Sequence, residues 1–129
     1  MPQYMLIGLC EPLSEDDQAA FDEWFVEQHI EDTTKCPNFV RGRVFKLSGP
    51  HLDIDTPVRY ISFYEVEADS YEEAERVLNA WQADENAWPG RARHLQTMQR
   101  LGGDIPMNIL GAGWYEQIGD YEGPGPASD

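Results

Sequence analysis

One histidine, its neighbouring carboxylate, two tyrosines and two arginines are the residues of this chain best placed by type and spacing to move a proton. His29 lies in the run WFVEQHIEDTTKCPNFVRGRVFKL, residues 24–47. Phe21, Phe25 and His29 recur every four residues, so a helix would stack them on one face. Trp24 stands beside them. Asp32 follows three residues later, within reach of the ring. An unperturbed imidazole exchanges a proton near neutral pH. The expected chemistry is acid–base, with His29 as base and Asp32 fixing its tautomer. Tyr60 or Tyr64 would polarise a carbonyl or protonate an oxygen. Arg41 and Arg43 would hold a carboxylate, which a guanidinium matches with paired N–H groups. Tyr4, Trp24, Phe25 and Trp81 complete the expected substrate-binding set. A structural alternative stands beside each role. His29 could be a core-edge histidine satisfied by Asp32 or a carbonyl, the tyrosines could simply pack, and the arginines could line a sheet edge or interface.

Composition removes other classes. The chain has 129 residues and a formal net charge of −15. That length fits one domain with its own core. The acidic balance argues against nucleic acid and anionic membrane, both of which need a basic surface. Lys35, Arg41, Arg43, Lys46 and Arg59 cluster, which marks a local anion site or an interface. The N-terminal run MPQYMLIGLC lacks a charged n-region and is too short to span a membrane. A cytoplasmic location with reduced thiols is expected for Cys10 and Cys36, which also lack metal spacing. His29, His51 and His94 are scattered, so no metal site is expected. No GxGxxG, phosphate loop or GxSxG is present, so no cofactor is expected either.

The elements that must position these residues follow in order. Tyr4–Cys10 reads as a strand. Ser14, with Asp17 in a capping box, opens a helix running to about Thr33, and Pro37 stops the chain from continuing it. Asn38–Leu47 is a second strand, with Val40, Gly42 and Val44 on one face and Phe39, Arg41, Arg43, Phe45 and Leu47 on the other. A loop over 48–57, carrying His51, leads to a strand over Val58–Glu67. There Tyr60, Ser62, Tyr64 and Val66 share a face. Ser70 and Glu73 cap a second long helix with a core stripe of Ala74, Val77, Leu78 and Trp81. A turn around Trp88-Pro89-Gly90 precedes a short helix, Arg91–Leu101, with a weak stripe of Leu95, Met98 and Leu101. His94, among arginines, reads as exposed or at a rim. Gly102-Gly103 ends that helix, and Met107–Ile118 is the last strand, with a bulge or close approach at Gly111-Ala112-Gly113. Residues 1–118 are expected to form one domain, and 119–129 a disordered tail.

This order, βαββαβ with an extra short helix before the last strand, is the ferredoxin-like α+β pattern with a four-stranded antiparallel sheet. Phe45, Ile61 or Phe63 would be exposed on the sheet face away from the helices, so a homodimer is expected to cover them. The helix-1 run and the following VRGRVFKL resemble the dimeric α+β barrel superfamily, in particular its EthD-like and methylmuconolactone-methylisomerase-like members. The carrying residues are Trp24 or Phe25, His29, Cys36-Pro37-Asn38-Phe39 and Val40–Leu47. Asn38 stands where relatives have glycine, and Asn tolerates unusual backbone angles. The resemblance implies a pocket between helices and sheet into which His29 projects. It also implies cofactor-free isomerases, lyases, polyketide cyclases or monooxygenases, and non-catalytic binding or stress proteins. A cysteine carried on the third strand by some isomerase members has no counterpart here. Tyr64 and Val66 occupy that neighbourhood. Haem-degrading relatives use a histidine on a later helix, which His94 would match loosely. The expected function is a lyase, isomerase or cyclase for a small aromatic or polyketide-like compound, carboxylate-bearing if Arg41 or Arg43 binds it. The alternatives are a binding or stress-response dimer and a cofactor-independent monooxygenase, the latter suggested by Trp24, Trp81, Trp88 and Trp114.

Overall fold

A computed structural model describes residues 2–49, 58–84, 90–100 and 107–127. His51, Trp88-Pro89, Leu101 and Gly102-Gly103 lie outside the described residues. Strand β1 is Gln3–Pro12. The first helix, α1, is continuous over residues 15–34 but changes its winding. It runs as a 3₁₀ turn, Glu15–Asp17, an α segment, Gln18–Phe21, a π segment, Asp22–His29, and a closing α turn, Ile30–Thr34. Then come β2, Phe39–Lys46, and β3, Tyr60–Glu67. Helix α2, Tyr71–Ala83, helix α3, Arg91–Arg100, and strand β4, Met107–Glu116, complete the order. The four strands form one antiparallel sheet in the order β2-β3-β1-β4. Among the described residues no helix is long and apolar enough to cross a membrane.

Local chemistry sets most boundaries. Ser70 Oγ accepts from Glu73 N at 3.1 Å, the expected N-cap of α2. The Glu73 carboxylate does not complete the capping box; it pairs with Arg76. The box expected at Ser14 does not form either. The Ser14 hydroxyl donates to the Asp17 carboxylate at 2.8 Å and caps no backbone N–H. Asn38 has φ +75°, the left-handed turn that brings the chain out of α1 and into β2. A register shift follows between Phe39 and Arg41. It corrects the expected facing of β2. Phe39 packs with Val44 against the core, whereas Val40 is 53% exposed, because the irregularity inserts a residue and breaks the two-residue alternation. The bulge expected at Gly111-Ala112-Gly113 falls just before them: these three pair regularly with Leu9, Gly8 and Ile7, and the register shifts at Leu110, between Gly111 and Ile109.

The core lies between the helices and one sheet face. Phe21, Trp24 and Phe25 of α1 meet Tyr60, Tyr64 and Val66 of β3, with Cys10 and Ala74 at its edges. Val77 and Leu78 are only half-buried, so Ala74 and Trp81 carry the buried stripe of α2. In α3 the stripe is not the one expected. Leu95 is 52% exposed while Thr97 is buried and His94 half-buried. This helix turns its polar side to α1.

Gly42 is where β2 passes the end of α1. A Cβ there would overlap Thr34 Oγ1 and touch Ile30. The Thr34 hydroxyl cannot easily yield, since it donates to Ile30 O at 2.7 Å. Gly42→Ala should therefore destabilise the fold by about 1–3 kcal/mol, the range for overpacking. Urea denaturation with an unchanged slope and a lower midpoint is the expected result.

Candidate functional site

The π winding of α1 builds the site. Its bonds run from residue i to i+5, as in Ile30 N to Phe25 O. In an α-helix, residues five apart point about 140° away from each other at 100° per residue. The wider π turn brings Trp24 and His29 over one another instead. Their ring centroids are 4.6 Å apart and their planes differ by 22°. Phe25 stacks on His29 at 5.8 Å, and Phe21 on Phe25 at 4.8 Å. The expected aromatic face of α1 is thus present, with Trp24 as an additional layer.

A pocket of about 270 Å³ opens over this stack. Helix α1 contributes Trp24, His29 and Thr33, α2 contributes Trp81, and β4 contributes Met107 and Ile109. Helix α3 contributes His94, whose role the sequence did not reveal. Trp24 Nε1 donates to His94 Nδ1 at 2.9 Å. With Nδ1 accepting, the proton of a neutral His94 ring sits on Nε2.

Electrostatics keeps both imidazoles neutral. Burial is the main cause at His29, His94 adds to it, and Asp32 partly opposes it; the result is a pKa of about 4. This corrects the expectation of a ring titrating near neutrality. His94 is also lowered, by burial and by Arg91, against an opposing pull from Asp32.

The other expected residues fall elsewhere. Asp32 is buried, but its carboxylate binds Arg93 Nη2 at 2.8 Å, and its effect on His29 is that of a nearby charge. Tyr60 OH donates to Asp22 Oδ1 at 2.5 Å, and Gln18 bonds to both. Burial and Asp22 push the Tyr60 phenol up to about 12. It borders a separate depression with Lys46, Val26 and Val44. Tyr64 is buried in the core, does not line the pocket and bonds to Thr33, with its phenol raised by burial. Phe25 lies within the stack and does not line the pocket. Arg41 is exposed. Arg43 is on the opposite sheet face, bound to Glu65 at 2.5 Å. Tyr4 borders a different groove, with Gln3, Met5 and Glu65. The expected set that does line the pocket is His29, Trp24 and Trp81.

Among the described residues no group of three His, Cys, Asp or Glu side chains could hold a metal ion. Cys10 and Cys36 are buried free thiols, each raised to about 11 by burial, so neither is a ready nucleophile.

No sequence-family profile and no curated protein matches this chain. Two solved structures do. One is HapK from Hahella chejuensis, at 16% identity and a TM-score of 0.56, covering 95% of this chain and 99% of that one. The other is an ethyl tert-butyl ether D (EthD) family protein from Bacillus halodurans, at 16% identity and a TM-score of 0.51, covering 92% and 100%. The chain shares the ferredoxin-like α+β fold of these two structures. At this identity the likeness concerns the fold alone. In this chain His29 of the first helix lines the pocket on the helix side of the sheet.

The depressed His29 pKa has a consequence for stability. In the unfolded chain the ring titrates near 6.5 and in the folded one near 4. Between these values the unfolded state binds the extra proton. Acidification through this window therefore favours unfolding. The contribution is full above pH 6.5 and gone below pH 4, and amounts to at most about 3 kcal/mol. His29→Gln should lose distinctly less stability than the parent between pH 7 and pH 4, as measured by urea unfolding at each pH.

Proposed function

We propose that this protein is a cofactor-independent acid–base enzyme, a lyase, isomerase or cyclase, acting on a small aromatic or polyketide-like compound. The observation that carries the reading is the pair of neutral imidazoles, His29 and His94, on one aromatic pocket, with Trp24 stacked on the first and bonded to the second. His29 would accept a proton from the bound compound. With its pKa lowered to about 4, His29 is a weak base at neutral pH, so the proton it takes must already be acidified by an adjacent carbonyl. A neutral histidine can polarise a carbonyl by donating a hydrogen bond, and His94 lines the same pocket. Trp24 and Trp81 would flank a planar ring. Arg41 and Arg43 lie away from this pocket, which favours an uncharged substrate over a carboxylate.

The same geometry supports a second reading. A deeply depressed, stacked histidine also suits a binding protein that leaves its ligand unchanged. Compounds retained by the purified protein, identified by mass spectrometry, would separate the two. For the enzyme, the retained compound or its precursor is turned over. His29→Gln and His94→Gln should each lower that turnover by roughly 10²–10⁴-fold with the fold intact. Unchanged compound with every variant supports the binding protein. Oxygen uptake during turnover would indicate the monooxygenase alternative.

The working unit is proposed to be a homodimer whose sheets face one another. Phe45 is 52% exposed and meets Phe63 edge-on at 5.5 Å. With Met5, Ile61 and Arg43 they line an open depression of about 510 Å³ on the sheet face away from the helices. Light scattering should give twice the 14.7 kDa of one chain. Phe45→Glu should shift the protein to monomer, because a charge there would be buried between the sheets.

A further inference from the structure

We infer that Asp32, Gly90 and Arg93 are positioning residues that hold α3 in place and thereby set the His94 imidazole on the pocket. This rests on reading the pocket as the ligand site and adds how that site is assembled.

Helix α3 has little apolar attachment. Of its described residues only Thr97 is buried, and Leu95 faces out. Its seam with α1 is polar: Trp24 to His94, Gln28 to Thr97, Asp32 to Arg93 and Glu23 to Arg100. The Glu23–Arg100 pair is exposed and screened by water, so it fixes little. The Asp32 end is different. Asp32 is 4% exposed, and Arg93 approaches it at 2.8 Å. Gly90 is buried directly against the same carboxylate, with no space for a Cβ. Its carbonyl accepts from His94 N at 2.9 Å, which closes the first turn of α3. The Asp32 charge thus lies at the N-terminal end of α3, where a helix favours a negative group. One carboxylate meets the helix end, the arginine directly before His94 and the glycine one turn before it. His94 itself is four residues from Gly90, so a displaced helix start moves its ring away from Trp24.

A merely structural tie would affect melting and nothing else. The positioning role predicts a change in the Trp24–His94 bond. Arg93→Met removes the pair, and Gly90→Ala wedges a methyl against Asp32. Neither residue lines the pocket. Nitrogen NMR of the full chain should show His94 leaving the pure Nε2–H tautomer in both variants. The Trp24 indole N–H should exchange with solvent at least about tenfold faster, as expected for a locally loosened contact. Arg93→Lys should restore most of both signals. Variants that melt lower but keep the parental His94 tautomer and indole exchange would overturn the inference. Because these readouts do not involve turnover, they decide it even if the protein proves non-catalytic.

Discussion

The π winding between Asp22 and His29 is the constraint on which the site depends. A regular α-helix would direct Trp24 and His29 to different faces, so they could not stack. The winding gives up ideal hydrogen-bond geometry, and such segments are rare and often found at functional sites. The core supports it here: Phe21, Trp24 and Phe25 are each at most 2% exposed. Their burial is what holds a backbone that the sequence alone would not favour. Of these rings Trp24 also lines the pocket, so the widened turn serves packing and site geometry together.

Asp32 illustrates how a local reading can be displaced by a distant partner. Three residues from His29, it has the spacing of a ring-orienting carboxylate. Its carboxylate instead meets Arg93 and the start of α3. A buried charge needs a close counter-charge, and the guanidinium supplies one with directed hydrogen bonds. His29 is then left with burial as its dominant influence, which keeps it uncharged. The pocket accordingly offers neutral polar groups and indole surface.

Much of the fold was legible in local signals. The Ser70 cap, the Pro37 stop and the alternation of Tyr60, Ser62, Tyr64 and Val66 each correspond to a feature of the structure. These are short-range effects that the chain carries wherever it folds. Asn38 was legible as a tolerant turn residue for the same reason. The facing of Phe39 was not, because one irregular residue in β2 reverses the alternation beyond it. Of the site, His29 and Trp81 could be read from helical spacing, and Trp24 only as a neighbour of that face, since its stacking on His29 depends on the π winding. His94 could not. Its flanking arginines suggested solvent, yet Arg93 and Arg100 point to acids on α1, leaving the histidine turned inward. The signal available was charge complementarity between two helices far apart in sequence, visible only once they are known to be neighbours. Tyr60 and Arg43 fell away from the pocket because the sheet has two faces and considerable width, neither of which residue spacing measures.

The strand order also bears on how the molecule is made. Strand β1 is central, hydrogen-bonded to β3 on one side and β4 on the other. It ends at Pro12, and its second partner begins only at Met107. During synthesis β1 can pair with β3 while one of its edges stays open. Met107 and Ile109, the β4 wall of the pocket, arrive with that late strand. Pairings of such sequence separation close slowly, since the intervening chain must first be restrained. An open central strand in the meantime invites pairing with other chains. The acidic surface, at −15 for the chain, keeps nascent copies apart by mutual repulsion during that interval. The charge that says little about the ligand thus acts as a safeguard for a sheet whose central strand must wait for its partner.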